Sequence, residues 1–181
     1  RRVLFRSGRD FRSIVYKQLG RYETVDQLAA ARYVASLPFV DSARIGIAGW
    51  SYGGYETLMC ATDAESTYAA AVAIAPVTSW RYYDTVYAER FMLTPGENAD
   101  GYDEGAPVNR AASLSCPLLI MHGTADDNVH LSNSIEFVGR LQQAHRYADM
   151  MLFPGMNHSI NGCDARAMVY GRMVDFFSCN L

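Results

Sequence analysis

Gly49-Trp50-Ser51-Tyr52-Gly53-Gly54 decides the fold of this 181-residue chain. The stretch follows an apolar run at residues 44–48, short enough for one buried strand, and precedes residues 55–61, which can continue as a helix. Its G-x-S-x-G pattern is typical of a sharp strand-to-helix turn that strains the serine backbone and exposes its hydroxyl. We expect glycines on either side because larger side chains would collide with the neighbouring strand and helix. The stretch therefore predicts Ser51 as a candidate covalent nucleophile.

Strand and helix patterns alternate along the rest of the chain. Apolar runs predict strands at about 44–48, 70–75, 118–121 and 150–153. Helices are predicted at 132–143 and 165–177, the latter capped by Asp164. A further helix is predicted to begin at Thr24, with Gln27 completing a capping box. The alternation predicts an α/β fold with a mostly parallel sheet and flanking helices.

Composition narrows the classes of partner. The net charge is −3 and half of the residues are hydrophobic, without a stripe of Lys and Arg, so nucleic acid is not an expected partner. No apolar run reaches the roughly 18 residues of a membrane span. The four cysteines are scattered without a C-x-x-C pair, so no metal site is predicted. Residues 1–7 look like translated adapter DNA, and we interpret them as a non-native scar before one domain at 8–181.

A serine nucleophile needs a histidine base and a carboxylate that orients the base. In α/β-hydrolases these follow in the order Ser, Asp or Glu, His, on loops after later strands. The loop after the third predicted strand offers Asp126 or Asp127, which the pattern does not separate, and the loop after the fourth offers His158. The backbone N–H of Tyr52, directly after the nucleophile, is the expected first oxyanion donor. The second normally comes from an earlier loop, which this chain lacks.

The other histidines fit the role of base less well. His122 lies at a strand end before the acid and is predicted to be a satisfied structural histidine. His130 is too close to the acid loop to come from a separate strand, and His145 lies at the polar end of a helix.

An aromatic segment follows the second predicted strand, near the edge where substrates bind. It contains Trp80, Tyr82, Tyr83 and Tyr87. A packed aromatic cluster and a binding pocket are both possible interpretations of this segment. An apolar aromatic pocket would suit a compact ring such as that of proline.

Five segments together carry a family resemblance: residues 49–55, 75–80, 82–90, 122–129 and 157–160. In these segments the chain resembles the prolyl oligopeptidase family of serine peptidases, in its dipeptidyl peptidase branch. The resemblance implies a triad of Ser51, Asp126 and His158, and it selects Asp126 over its neighbour. It further implies that Tyr83 lines a proline pocket and helps to hold the free amine of the substrate. The other implied substrate-binding residues are Tyr87, Trp80, Val77 and Val129, which wall the pocket, and Asn128, which contacts a substrate carbonyl.

The implied activity is release of X-Pro or X-Ala dipeptides from peptide N-termini, without a metal or organic cofactor. Family members are commonly homodimers, mostly secreted, periplasmic or membrane-associated, and carry an N-terminal β-propeller with a glutamate pair that binds the substrate amine. About eight strands are expected in a complete sheet, against four here. We therefore expect a truncated catalytic domain with little activity and an exposed apolar edge at the first strand. The alternatives are an acylaminoacyl peptidase or oligopeptidase of the same family, and a non-catalytic pseudoenzyme or interaction domain.

Overall fold

The computed structural model describes residues 8–162 and 164–181. Its centre is a parallel sheet of four strands in the order β1-β2-β3-β4. The strands are β1 (Gly46–Trp50), β2 (Ala70–Ile74), β3 (Leu118–Gly123) and β4 (Asp149–Phe153). The predicted mostly parallel sheet is confirmed, while the scar proposed for residues 1–7 lies outside the described residues.

Seven α-helices of the described chain surround the sheet. They are α1 (Gly8–Ser13), α2 (Arg21–Ala35), α3 (Tyr52–Ala61), α4 (Thr85–Met92), α5 (Ala99–Glu104), α6 (Ser132–Gln143) and α7 (Ala165–Asn180). Short 3-10 turns occupy Trp80–Tyr82 and Pro107–Ser113. Within the ranges that the structure describes, no helix is long and apolar enough to span a membrane.

Helices cover both faces of the sheet. Alternate side chains of its central strands point to opposite sides, so both sets are buried. On one side Ala71, Ala73, Leu118 and Ile120 pack with residues of α3, α6 and the second 3-10 turn. On the other side Val72, Ile74, Leu119 and Met121 pack with residues of α7. The loops at the carboxyl ends of β1, β3 and β4 therefore project from one edge of a rigid core.

Among the sequence-based predictions of element ends, those for β1 and for the caps of two helices need correction. β1 begins at Gly46 instead of 44 and runs through Trp50, because its last two residues still pair with β2 before the turn. The predicted capping box at Thr24 is wrong: α2 starts at Arg21 after Gly20, whose φ of 84° is left-handed, and the Thr24 hydroxyl donates within the helix to the Gly20 carbonyl. Asp164 does precede α7, but its side chain makes no capping hydrogen bond.

β1 forms one edge of the sheet. Across the described part of the chain it pairs with β2 on one side only, and its residues are half-buried or exposed. The expected exposed edge strand is therefore present, and it leads directly to Ser51.

Candidate active site

The turn between β1 and α3 holds Ser51 in a strained backbone conformation. Its φ of 59° and ψ of −116° lie in a region that non-glycine residues rarely adopt, at a typical cost of about 1–3 kcal/mol. Two hydrogen bonds hold this geometry: the Ser51 N–H donates to the Ile74 carbonyl (2.8 Å), and the Tyr55 N–H donates to the Ser51 carbonyl (2.9 Å). Sheet and helix together keep the Ser51 hydroxyl at the strand end.

Close backbone packing explains Gly49 and Gly54, but it does not explain Gly53, the second glycine of the G-x-S-x-G motif. A Cβ at Gly49 would lie 2.1 Å from the Gly53 carbonyl oxygen, and one at Gly54 would lie 2.8 Å from the Ile74 carbonyl oxygen. A Cβ at Gly53 would meet open space. The expectation that glycines on both sides of the serine avoid collisions is therefore correct for Gly49 and wrong for Gly53, since the crowded position is one residue further on.

A chain of hydrogen bonds links Ser51, His158 and Asp126. The Ser51 Oγ lies 2.8 Å from His158 Nε2, and His158 Nδ1 lies 2.7 Å from Asp126 Oδ2. The carboxylate can only accept, so Nδ1 carries the imidazole proton and Nε2 accepts from the serine hydroxyl. The Asp126 side chain is fully buried and the His158 side chain is 20% exposed. Asp127 is exposed, so the structure separates the two candidate acids that the pattern left open.

Backbone N–H groups hold the second oxygen of the carboxylate. Asp126 Oδ1 accepts from the N–H of Asn128 (3.0 Å) and from the N–H of Val129 (2.9 Å). This loop leaves β3, as expected, and the tight turn after the acid aims the other oxygen at His158.

The other three histidines differ in their burial. His130 and His145 are exposed. His122 is completely buried at the end of β3, and its ring nitrogens lie 2.7 Å from the Ser134 hydroxyl and 2.8 Å from the Val129 carbonyl. Its Nε2 also lies 3.2 Å from Asp126 Oδ2. His122 is thus hydrogen-bonded as predicted, but the sequence interpretation missed its contact with the acid.

Trp50 ties the base loop to the nucleophile strand. Its indole N–H donates to the backbone carbonyl of His158 at 3.0 Å. The guanidinium of Arg166 lies 5.3 Å from the centre of the Trp50 ring, and it also donates to the Ser159 carbonyl. The residue directly before the nucleophile therefore helps to place the base.

Tyr52 is the first residue of α3, so its N–H has no partner within the helix and is available as a hydrogen-bond donor beside Ser51. Its phenol donates to Glu23 at 2.8 Å. Burial first, and then the charge of Glu23, raise the pKa of the Tyr52 phenol, which therefore stays neutral.

Two acidic side chains, the half-buried Glu23 and the buried Glu56, lie behind Tyr52. Burial, reinforced by the charge of Glu23, raises the pKa of Glu56 to about 8. One carboxylate oxygen of Glu23 and one of Glu56 are buried without a hydrogen-bond partner among the residues described. Sequence reasoning missed this pair because the two residues are far apart in sequence. The available signal was a glutamate within the nearly all-buried helix α3.

The aromatic segment forms a packed cluster and a cavity wall at once. A cavity of about 160 Å³ is lined by Ser51, Tyr52, Val77, Trp80, Tyr83 and Tyr87. Trp80 is 1% exposed and stacks on Tyr87, with ring centres 5.7 Å apart and an interplanar angle of 22°. Because core packing holds these rings rigidly, the cavity is preformed.

Asn128 and Val129, the other two predicted substrate-binding residues, contact the cavity wall but do not line the cavity. The Tyr83 hydroxyl donates to Asn128 Oδ1 at 2.7 Å, so the loop of the acid is linked to the aromatic wall. Val129 is fully buried in the same apolar cluster as Trp80 and lies behind the wall. Within residues 8–162 and 164–181, no group of three or more His, Cys, Asp or Glu side chains is arranged to hold a metal ion.

The chain is similar to known proteins of one family. A sequence model described as "Prolyl oligopeptidase family" matches residues 6–181. "Probable dipeptidyl-aminopeptidase B" of Paracoccidioides brasiliensis (strain Pb18) is 45% identical over 173 residues, covering 93% of this chain and 19% of that protein. The protein of the same name from Metarhizium robertsii is 46% identical over 170 residues, covering 92% and 18%.

A solved structure is similar as well. The crystal structure of Porphyromonas gingivalis dipeptidyl peptidase 4 superposes with a TM-score of 0.94 and 49% identity, covering 96% of this chain and 25% of that one. The fold and the family resemblance predicted from the sequence are thereby confirmed. The chain spans about a fifth of the length of the curated relatives it matches.

Proposed function

Because this chain belongs to the prolyl oligopeptidase family, we propose that it is the catalytic part of a serine dipeptidyl peptidase. The enzyme would release N-terminal X-Pro or X-Ala dipeptides through an acyl-enzyme on Ser51. The single observation that carries this proposal is the hydrogen-bonded chain from Ser51 through His158 to Asp126, at 2.8 and 2.7 Å, beside a preformed aromatic cavity. The names of the relatives support the dipeptidyl class.

In the proposed reaction, the Ser51 oxygen attacks the carbonyl carbon of the scissile bond and its proton passes to His158 Nε2. Asp126 keeps the imidazole in the required tautomer and stabilises the imidazolium that forms. The Tyr52 N–H donates to the developing oxyanion, a contribution of about 3–4 kcal/mol for a well-placed donor. His158 then protonates the leaving amine. In the second half of the reaction, His158 takes a proton from a water molecule that attacks the acyl carbonyl carbon, and it returns the proton to the Ser51 oxygen as the dipeptide leaves.

The cavity accounts for the proposed residue specificity. A volume of about 160 Å³ walled by Val77, Trp80 and tyrosine rings is small and apolar, which suits a proline ring or an alanine methyl group. Tyr83 would contact the substrate near its free amine, and Asn128 would contact the carbonyl between the two released residues. The hydrogen bond between these two side chains would hold both in place before substrate binds.

We further propose that the active enzyme is longer than this chain. The chain spans about a fifth of its curated relatives, and the amine-binding acids, the β-propeller and the second oxyanion donor would lie in the remainder. The full-length enzyme would be a homodimer that is secreted, periplasmic or membrane-associated. The 181-residue chain alone would have little or no peptidase activity.

The test compares two substrates on the full-length protein. We expect release of the chromophore from Gly-Pro-p-nitroanilide but not from its N-acetylated form, and loss of release in Ser51→Ala. The exposed serine variant Ser42→Ala is the matched control and should keep full activity. Cleavage of the acetylated substrate would instead identify an acylaminoacyl peptidase or oligopeptidase. A folded protein whose Ser51 is not labelled by a fluorophosphonate would overturn the proposal in favour of a non-catalytic domain.

A further inference from the structure

We propose that His122 is a positioning residue that holds the Asp126 carboxylate against His158 by sharing its own Nε2 proton with it. This inference rests on the proposed function, since it concerns the same hydrogen-bonded chain. It assigns a role in the reaction to a buried histidine that the serine–histidine–aspartate mechanism does not use.

The surroundings of His122 determine which ring nitrogen carries its proton. Nε2 lies 2.8 Å from the Val129 carbonyl oxygen, which can only accept, so Nε2 is the protonated nitrogen. Nδ1 is therefore an acceptor, and the Ser134 hydroxyl on α6 donates to it at 2.7 Å. Burial is the main cause that lowers the pKa of His122, so the ring stays neutral with this single proton.

The Nε2 nitrogen of His122 lies within reach of two acceptors. Asp126 Oδ2 lies 3.2 Å from the same nitrogen that donates to the Val129 carbonyl. The Val129 N–H in turn donates to Asp126 Oδ1 at 2.9 Å. Acid, backbone and imidazole thus form a closed ring of contacts, which prevents the carboxylate from rotating about its Cβ–Cγ bond.

Four N–H groups of the protein surround the Asp126 carboxylate. Oδ1 takes two backbone N–H groups, while Oδ2 faces His158 Nδ1 at 2.7 Å and His122 Nε2 at 3.2 Å. A carboxylate offers about four lone-pair positions, and each of these donors can occupy one. Because both the side chain of Asp126 and that of His122 are completely buried, solvent cannot replace a lost donor.

Sharing Oδ2 also affects the base. The same oxygen accepts from His158 Nδ1, so the position of Oδ2 determines where the base is held. The titratable groups that face the His122 ring are Asp126 and His158, and the α6 side contributes only the Ser134 hydroxyl. Loss of the Nε2 donor should therefore loosen the acid and, with it, the contact of His158 with Ser51.

Two amide substitutions separate the two sides of the His122 ring. In His122→Asn the amide reaches the position of Nδ1 and keeps the Ser134 contact only. In His122→Gln the amide nitrogen reaches the position of Nε2 and keeps a donor toward Asp126. A role in packing against Ser134 would favour the Asn variant, whereas the proposed positioning role favours the Gln variant.

The first readout is the separate effect on kcat and KM of the full-length protein with Gly-Pro-p-nitroanilide. We expect His122→Asn to lower kcat about tenfold, since small misplacements of catalytic groups have effects of this size. KM should stay nearly unchanged, because His122 does not line the cavity. The kcat of His122→Gln should stay within about threefold of the unsubstituted protein, because its amide nitrogen keeps the donor toward Asp126. Ser134→Ala and the exposed-loop control His130→Asn should also stay close to the unsubstituted kcat. Equal losses in the Asn and Gln variants, or a loss in the Asn variant that lies in KM instead of kcat, would overturn the proposal.

The second readout does not need turnover or a folded His122 variant. Nitrogen NMR of the unsubstituted protein should show His122 with its proton on Nε2, and the resonance of that proton should move upfield in Asp126→Asn, where the acceptor loses its charge. A proton on Nδ1, or a resonance unchanged by Asp126→Asn, would refute the assignment. If the unsubstituted protein does not turn over the substrate, the proposed function fails, while this measurement still decides the contact.

Discussion

Replacing Glu56 by glutamine should make the stability of the protein less dependent on pH. Glu56 is 9% exposed on α3, one of its oxygens has no partner in the described structure, and its other oxygen is 3.5 Å from the Thr24 hydroxyl. Burial and the neighbouring Glu23 raise its pKa from 4.5 to about 8. A raised carboxyl pKa means that folding favours the protonated form, so stability is greatest below 4.5 and is lost as the pH rises through 8.

The size of the effect follows from the two pKa values. Each pH unit between them lowers the free energy of unfolding by about 1.4 kcal/mol, because the folded state keeps a proton that the unfolded chain has released. The loss is about 2 kcal/mol at pH 6 and about 4 kcal/mol at pH 8. The glutamine side chain cannot ionise, so Glu56→Gln should lose about 2 kcal/mol less than the unsubstituted protein between these two pH values.

Urea unfolding at pH 6 and pH 8, followed by circular dichroism, measures this difference. Other titrating groups are common to both proteins and cancel in the comparison of slopes. The exposed variant Glu104→Gln is the matched control and should reproduce the unsubstituted slope. Parallel pH dependence in Glu56→Gln and the unsubstituted protein would refute the reasoning, because it would show that Glu56 ionises in the folded state as it does in the unfolded chain.

Three further predictions concern the turn, the cavity and a buried thiol. Gly49→Ala should destabilise the protein by several kcal/mol, because its Cβ would lie 2.1 Å from a backbone oxygen. In Gly53→Ala the new methyl group enters open space, so the free energy of unfolding should change by about 1 kcal/mol or less. Melting curves compare the two variants, and equal losses would contradict the packing argument. Tyr83→Phe should raise KM for Gly-Pro-p-nitroanilide several-fold, about 1 kcal/mol, by removing the 2.7 Å hydrogen bond to Asn128. The double variant Tyr83→Phe with Asn128→Ala should lose less than the sum of the two single losses, because both remove the same hydrogen bond, and strictly additive losses would contradict this. Cys60, buried with a thiol pKa raised to about 12 by burial, should react with a disulfide reagent only after unfolding, as peptide mapping would show; rapid labelling of the native protein would contradict this.

The four strands, their mostly parallel arrangement and the loops that carry the three central residues could be predicted from the sequence. Short apolar runs ending at a serine turn, at Asp126 and at His158 are local signals, and parallel strands bring their carboxyl ends together. The beginning of β1 could not be predicted as well. Gly49 and Trp50 look like part of the turn, but they still pair with β2, and only the neighbouring strand determines this.

Other features depend on contacts between distant segments. Nothing local in Thr24 reveals that Gly20 starts the helix in a left-handed conformation, next to the Tyr55 hydroxyl. The approach of His122 to Asp126 depends on how the loop after β3 folds back over the strand end. The pairing of Glu23 with Glu56 likewise requires α2 to pack on α3, which periodicity within either helix does not indicate.

The chain contains two tryptophans, and both lie at the candidate site. Trp50 donates to the backbone of the base loop on one side, and Trp80 forms the wall of the cavity on the other. Intrinsic tryptophan fluorescence of the 181-residue chain is therefore an optical signal of this region, without an added label. Trp80 is nearly inaccessible to a soluble quencher such as iodide, while half-buried Trp50 is accessible to it. A change in iodide quenching therefore reports movement of the base loop at Trp50, whereas occupation of the cavity changes the emission of Trp80 without changing its quenching.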